Sequence, residues 1–287
     1  MPLRVRIKFQ SNRRRNVSAR LYNQFLLTPL QRNGIEVVMV SPRNPLNIGA
    51  VARAMANFGF ARLSVVAPYE PHWREAKSAV GSAELLQTAG EFASLAEAVH
   101  DCTLVLGTGT LTHRKPEQPV VPLTELASHV APALQRGSRI ALVLGPEKHG
   151  LTREDLSRCH LLVEIPTDPQ QPSMNLGQAA AVLLYELATH EPRKQAAGDA
   201  RNGAADGPGQ SLESTTTSGD LDILAELIEE VMAEARYSPK AMQAANQHDL
   251  RVMLRRLHLS KADTRRALGL FRRILWRFGY HNRNVTL

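Results

Sequence analysis

With 287 residues, 43% of them hydrophobic, the chain is long enough for one well-buried domain and an appendage. Its 35 Lys and Arg against 27 Asp and Glu leave a formal net charge of +8. No apolar run approaches the ~20 residues of a membrane helix. Two cysteines, Cys102 and Cys159, cannot build a disulfide framework; both lie in or beside apolar runs, as buried thiols of a reducing compartment do. No His/Cys cluster has zinc spacing, so no metal is expected.

The excess positive charge lies at the two ends. Before Glu36 there is no acidic residue, while Arg4, Arg6, Lys8, Arg13, Arg14, Arg15, Arg20 and Arg32 are all cationic. That composition fits a mitochondrial transit peptide, a disordered basic arm, or a start codon assigned too far upstream, and the three readings stay open. Residues 1–33 are therefore set aside from the fold as a basic extension. The expected compartment is the cytoplasm, or the mitochondrion if the extension is a transit peptide.

From Gly34 the pattern alternates. Apolar runs predict buried strands at Glu36–Ser41, Arg62–Ala67, Cys102–Gly107, Arg139–Gly145 and Leu161–Ile165. Helical stretches between and after them cover Asn47–Phe58, Glu75–Thr88, Ser94–His100, Leu123–Leu134, Thr152–Arg158 and Asn175–His190. Strands rich in Val, Ile and Leu, separated by helices, predict an α/β domain over 34–190: a mainly parallel sheet with helices on both faces.

Residues 191–220 lose apolar periodicity and are dominated by Ala, Gly, Ser and Thr, the composition of a flexible linker. Residues 221–287 regain it as a small basic helical module. Its stripes are Leu224, Leu227, Ile228 and Val231; Leu250, Met253, Leu254 and Leu257; and Leu268, Phe271, Ile274, Leu275 and Phe278. The polar side of the last helix carries Arg272, Arg273 and Arg277, which suit a polyanion, although a solvated surface helix has the same pattern.

Three turns carry the chemistry. In the first, Asn47 is a candidate N-cap, and Ile48, Val51, Ala52, Met55 and Phe58 share a helix stripe that leaves Arg53 facing outward beside Gly49 and Asn57. The fourth strand runs into Gly145-Pro146-Glu147-Lys148-His149-Gly150-Leu151-Thr152, a near match to a phosphate loop. Leu151 stands where lysine is required, Pro146 removes an amide and Glu147 adds a repelling charge, so a nucleotide triphosphatase is excluded. Thr152 and Asp155 fit a capping box instead. The third stretch, Pro166 to Leu176, has three prolines and no glycine, which fixes its backbone in advance; Ser173 stands where a helix cap belongs, with Asn175 behind it. With Gly107-Thr108-Gly109-Thr110, the loops after the third, fourth and fifth strands are suited to line one pocket.

Taken in order, Asn47-x-Gly49-x-x-x-Arg53, Gly145-x-Glu147-x-x-Gly150-Leu151 and Ser173-Met174-Asn175 resemble the three motifs of the SpoU/TrmH family of RNA ribose methyltransferases, of the SPOUT class, over about Gly34 to His190. The flanks Ala52-Arg53-Ala54-Met55, Gly150-Leu151-Thr152 and Leu161–Ile165, with the linker and basic tail, are most similar to the TrmJ type, which modifies the first residue of the tRNA anticodon loop. The resemblance implies a deep trefoil knot, a homodimer, and S-adenosylmethionine held mainly by backbone groups of Thr108, Gly109, Thr110, Gly145, Ile165, Pro172, Ser173 and Met174. It departs from the family after the third strand. There Thr112-His113-Arg114 replaces the usual spaced arginines, with a one-residue offset.

The implied activity is tRNA 2′-O-ribose methylation, with Arg53 at the family's catalytic position. An arginine with pKa above ~12 is a poor base. Arg53 is therefore expected to orient the ribose hydroxyl and its phosphate and to stabilise the developing oxyanion, while Ser173 and Asn175 fix loop and ribose, Asn47 belongs to the same constellation, and Glu147 holds the loops together. Arg43, Arg53, Arg114, Arg272, Arg273 and Arg277 are the expected RNA contacts. Methylation of ribosomal RNA and a non-catalytic RNA-binding role remain alternatives.

Overall fold

In the computed structural model, residues 27–109, 116–189, 215–237 and 239–284 are described. Five apolar runs form strands where the sequence places them: β1 (Ile35–Val40), β2 (Arg62–Val66), β4 (Leu104–Thr108), β6 (Ile140–Leu144) and β7 (Leu161–Glu164). Two more, β3 (Gly90–Phe92) and β5 (Val120–Pro122), complete a seven-stranded sheet in the order β3-β2-β1-β6-β4-β7-β5. Each has three residues and lies at an edge, too short for any hydrophobic period to register. All pairings are parallel.

Every residue of β1 is buried, because the sheet is covered on both sides. Ile35, Val37 and Met39 face one core with α2 (Pro45–Phe58) and α7 (Leu176–Thr189), which supply Ile48, Val51, Met55, Leu183 and Leu187. Val38 and Val40 face a second core with Val99, Val105, Leu151 and Leu162. Burial of each such side chain contributes about 1.5–3 kcal/mol before entropy is counted. The register aligns the strand ends that matter: Met39 pairs with Leu144, Gly107 with Val143, and Thr108 with Val163. The turns after β1, β4, β6 and β7 thus emerge side by side at one edge of the sheet.

Several boundaries differ from expectation. Part of the segment set aside at the N-terminus belongs to the fold: Pro29–Asn33 is a helix, α1, with a Thr28/Gln31 capping box. Arg32 ties it down by donating to Leu27 O at 2.8 Å and to Gly59 O, past the end of α2, at 3.2 Å. The helix expected over 75–88 is two pieces, a 3-10 turn at Trp73–Glu75 and α3 (Ala83–Thr88). Gly81, at φ 75°, turns the chain between them. α4 (Leu95–Ala98), α5 (Leu126–Gln135) and α6 (Arg153–Ser157) are shorter than their sequence spans, and α6 has the Thr152/Asp155 box. No helix of the described residues is long and apolar enough to cross a membrane.

The C-terminal helices are α8 (Ser218–Glu234), α9 (Gln243–Arg256) and α10 (Lys261–Asn284), joined by a core of Leu221, Leu224, Ala225, Leu250 and Leu254. α8 begins inside the stretch read as linker, since Thr217 caps it and its first amides bond to the sheet layer: Ser218 N–H to Cys102 O at 2.7 Å and Gly219 N–H to His100 O at 3.0 Å. A Cβ at Gly219 would lie 2.8 Å from His100 Cγ and closer still to its Cδ2 and Nε2, so a larger residue would have to displace the His100 ring. The apolar stripe expected on α9 holds only in part: Met253 and Leu257 are exposed. Instead α9 is buried on a second side, where His248, Val252 and Arg255 recur at helical spacing and the helix meets α6. Arg255, 1% exposed, donates to Asp222 Oδ1 at 2.8 Å, and Arg158 donates to Asp222 Oδ2 at 2.7 Å.

Beneath this junction Cys159 is fully enclosed and burial pushes its thiol up to about 12, as it does for Cys102, so both are chemically quiet. His160 is also buried; burial first, then the nearby Arg255 and His258, bring its pKa down to about 3, and its Nδ1 accepts from Val105 N–H at 3.0 Å. The unfolded chain binds a proton at this residue near pH 6.5 and the folded chain only near 3, so acid favours unfolding across that window. Urea titrations from pH 7 to pH 4 should show stability falling with acid, and His160→Gln should flatten the decline.

Candidate functional site

The site is built by turns meeting at the aligned strand ends. Thr108 and Gly109 after β4, Gly145 to Gly150 after β6, and Ile165, Thr167 and Pro172 to Met174 after β7 line a cavity of about 320 Å³. Leu176 and Ala179 of α7 and Val163 of β7 close its wall. Gly145 allows this, because the turn that follows folds back over it. A Cβ there would lie 2.7 Å from Gly150 C. Gly150 closes the turn at φ 62°, with its N–H donating to Pro146 O at 2.9 Å. The proline-rich loop is braced from within: Thr167 Oγ1 donates to Pro172 O at 3.2 Å, and Gln170 N–H donates to Asp168 Oδ1 at 2.8 Å. Thr108 Oγ1 donates to Val143 O at 2.9 Å, which ties its hydroxyl to the neighbouring strand.

A chain of hydrogen bonds joins the three turns. Asn175 Oδ1 accepts from Gly177 N–H at 2.9 Å and its Nδ2 donates to Asn47 Oδ1 at 3.0 Å. Asn47 Nδ2 donates to Glu147 Oε1 at 2.9 Å, and Glu147 also accepts from the backbone N–H groups of Arg43 and Asn44 at 3.2 and 3.3 Å. Burial raises the Glu147 pKa; donation from Asn47, its own amide and those of Arg43 and Asn44 outweighs it. The carboxyl is therefore held below the ordinary carboxylate value and is ionised at neutral pH.

Two helix caps move from where the sequence put them. Pro45, in the first turn of α2, lets the helix start early, and Asn44 caps it by accepting from Leu46 N–H at 2.9 Å. Asn175, not Ser173, caps α7. The first displacement frees the Asn47 amide, which accepts from Asn175 and donates to Glu147.

Thr108, Gly109, Gly145, Ile165, Pro172, Ser173 and Met174 share the cavity, and Asn47, Glu147 and Asn175 stand in one hydrogen-bonded line beside it. Thr110 and Arg114 lie outside the described residues. Arg53 is exposed, and its side chain makes no hydrogen bond or ion pair among the described residues; it does not line the cavity. It lies three residues beyond Ala50, where α2 crosses α7 so closely that a Cβ at Gly177 would be 2.7 Å from Ala50 Cβ. The space expected beside Arg53 at Gly49 is filled, because a Cβ there would lie 2.8 Å from Ala79 N, and Ser78 Oγ donates to Leu46 O at 2.7 Å. Arg272, Arg273 and Arg277 are exposed on α10, away from the cavity lining, and Arg273 stacks 4.2 Å from the Trp276 ring centroid.

A parallel sheet whose late turns enclose a backbone-lined cavity, with an Asn–Asn–Glu line at its rim, defines the class. The SpoU rRNA Methylase family matches residues 34–185, and the chain belongs to it. More particularly, the chain is 40% identical over 154 residues to the tRNA (cytidine/uridine/adenosine-2′-O-)-methyltransferase TrmJ of Pseudomonas aeruginosa, covering 53% of this chain and 60% of that protein. It is 37% identical over 164 residues to the tRNA (cytidine-2′-O-)-methyltransferase TrmJ of Methanocaldococcus jannaschii, covering 56% and 70%. The match thus spans about three fifths of the Pseudomonas relative. Among solved structures, TrmJ from Z. mobilis ZM4 shares the fold with a TM-score of 0.69 at 25% identity, over 83% of this chain and 98% of that one.

Glu147→Gln tests the line of hydrogen bonds. It replaces a charged acceptor with an amide that offers one acceptor oxygen, and should lower stability by about 1 kcal/mol, moderated by the carboxylate's partial exposure. A depressed folded pKa means that this contribution is present above the unfolded value near 4.3 and is lost as pH falls through the folded one. Denaturant midpoints of wild type and variant should differ at pH 7 and converge in acid.

Proposed function

We propose that the chain is an S-adenosylmethionine-dependent tRNA 2′-O-ribose methyltransferase acting on the first residue of the anticodon loop. The observation that carries this reading is the convergence of the turns after β4, β6 and β7 on one cavity, with Glu147 of the second of them bonded to the turn after β1. Membership of the family and the names of the TrmJ relatives support the reaction and the tRNA substrate. A cavity of about 320 Å³ is within the range of small-molecule sites, and its walls combine apolar Val163, Ile165, Met174 and Leu176 with backbone groups of glycine and proline turns. Those residues fit a nucleoside-bearing cofactor. Thr108, Gly109, Thr110, Gly145, Ile165, Pro172, Ser173 and Met174 would hold it. When bound, the cofactor supplies an electrophilic methyl group on sulfur.

The residues of the chain do the rest. Arg53 orients the target ribose and its phosphate and stabilises the alkoxide as it forms. The hydroxyl proton passes to phosphate or water, since a guanidinium stays protonated. Ser173, Asn175, Asn47 and Glu147 hold donor loop and acceptor helix in alignment, so that proximity supplies much of the rate. The sheet with α1 to α7 forms the methyltransferase domain, and α8 to α10 a basic helical module that grips RNA. A deep trefoil knot and a homodimer complete the proposal. In its favour, β6 and β7, late strands of the sheet, pair on either side of β4, and Leu46 and Tyr185 are half-exposed apolar residues on α2 and α7.

Incubation of the protein with total RNA, tRNA and ribosomal RNA together, and methyl-labelled cofactor, followed by mapping of 2′-O-methyl sites, should place the label at the first anticodon-loop residue. Label confined to ribosomal RNA would overturn the tRNA reading. Arg53→Ala should keep cofactor binding by calorimetry and lose methyl transfer by about 10²–10³-fold. Replacing Arg272, Arg273 and Arg277 by Ala should weaken tRNA binding and flatten its log–log salt slope by about 0.7–0.9 for each phosphate that is no longer neutralised.

A further inference from the structure

The ends of β1 and β2, beside the site, carry a feature that the three turns do not use. Val40 pairs with Val66, and each strand is followed by a non-glycine residue in the left-handed region, Ser41 and Ala67, both at φ 43°. Such backbones are unfavourable for residues with a Cβ and persist where surrounding structure holds them. Here Ser41 N–H donates to Val66 O at 2.8 Å, and Ala67 N–H donates to Phe92 O at 2.9 Å. Strain at adjacent strand ends turns both chains outward together.

The outcome is a meeting of Arg43 and Tyr69. Tyr69 N–H donates to Pro42 O at 3.2 Å, and the Arg43 guanidinium carbon lies 5.8 Å from the Tyr69 ring centroid. Pro42, Pro68 and Pro71 stiffen the two turns. The ring is 72% exposed and belongs to none of the three hydrophobic cores. The guanidinium is exposed and makes no ion pair among the described residues. Through its backbone amide, Arg43 is fastened to Glu147 at 3.2 Å, and Glu147 lines the cavity. An aromatic face and an unpaired cation are thus fixed together on the rim of the site. Packing accounts for neither.

We propose that Tyr69 and Arg43 form a stacking platform for an unpaired nucleobase of the RNA substrate, the ring receiving the base and the guanidinium its adjoining phosphate. This rests on the RNA methyltransferase reading. Bases of a single-stranded loop are recognised by splaying them out onto aromatic or guanidinium planes. Stacking tolerates every base because each has a π face, so the platform positions the loop without reading its sequence.

Kinetics with the full chain and bulk tRNA test the platform. Tyr69→Ala should raise KM for tRNA about five- to hundredfold with little change in kcat and none in cofactor binding, and Tyr69→Phe should restore it. An unchanged KM in Tyr69→Ala, or a Phe variant as impaired as the Ala variant, overturns the platform. A second measurement needs no turnover: a single-stranded oligoribonucleotide carrying 2-aminopurine should be quenched more by wild type than by Tyr69→Ala. Equal quenching overturns the platform even if methyl transfer is normal. Stronger quenching by a wild type that transfers no methyl group to RNA upholds the platform and overturns the methyltransferase reading instead.

Discussion

One carboxylate holds the functional end of this molecule in shape. Glu147 projects from the turn after β6 into a nest of donors from the turn after β1, and Asn47 passes the connection to Asn175 at the start of α7. Parallel strands bring these turns to the same edge, but a shared edge does not fix their separation. Hydrogen bonds to an ionised acceptor do, because they are directional and stronger than those between neutral groups. The cavity is thus set by bonds among turns far apart in sequence, and its glycines and prolines need only refrain from moving.

Much of this was legible in the sequence for a simple reason. Strands buried on both faces are written as unbroken apolar runs, so β1, β2, β4, β6 and β7 stood out, and parallel topology then placed their following turns together. Glu147 was readable as a misfit, a charge where a phosphate loop excludes one. Other features left no one-dimensional trace. β3 and β5 are edge strands of three residues. The caps shifted because Asn44, Asn47, Ser173 and Asn175 are all competent cap residues, and only Pro45 and the cross-turn bonding decide among them. Arg43 and Tyr69 meet because of two backbone angles, which no spacing rule reports.

The C-terminal helices show how an apolar stripe misleads. On α9 the sequence displays one hydrophobic face, yet the helix is enclosed on two, and the second is built around Arg255 and His248. A buried guanidinium is tolerated because Asp222 neutralises it and shares its other oxygen with Arg158 on the sheet side. Removing one member of such a cluster would leave a buried charge uncompensated, so its partners must stay aligned.

That junction has a consequence for how a large ligand is measured. With α8 bonded through its first amides to Cys102 and His100, and α9 keyed to α6, the helices cannot swing as a tethered hand would. The exposed arginines of α10 and the cavity are then carried on one frame rather than on a tether. On the proposed reading, an RNA gripped by both would be gauged by its dimensions.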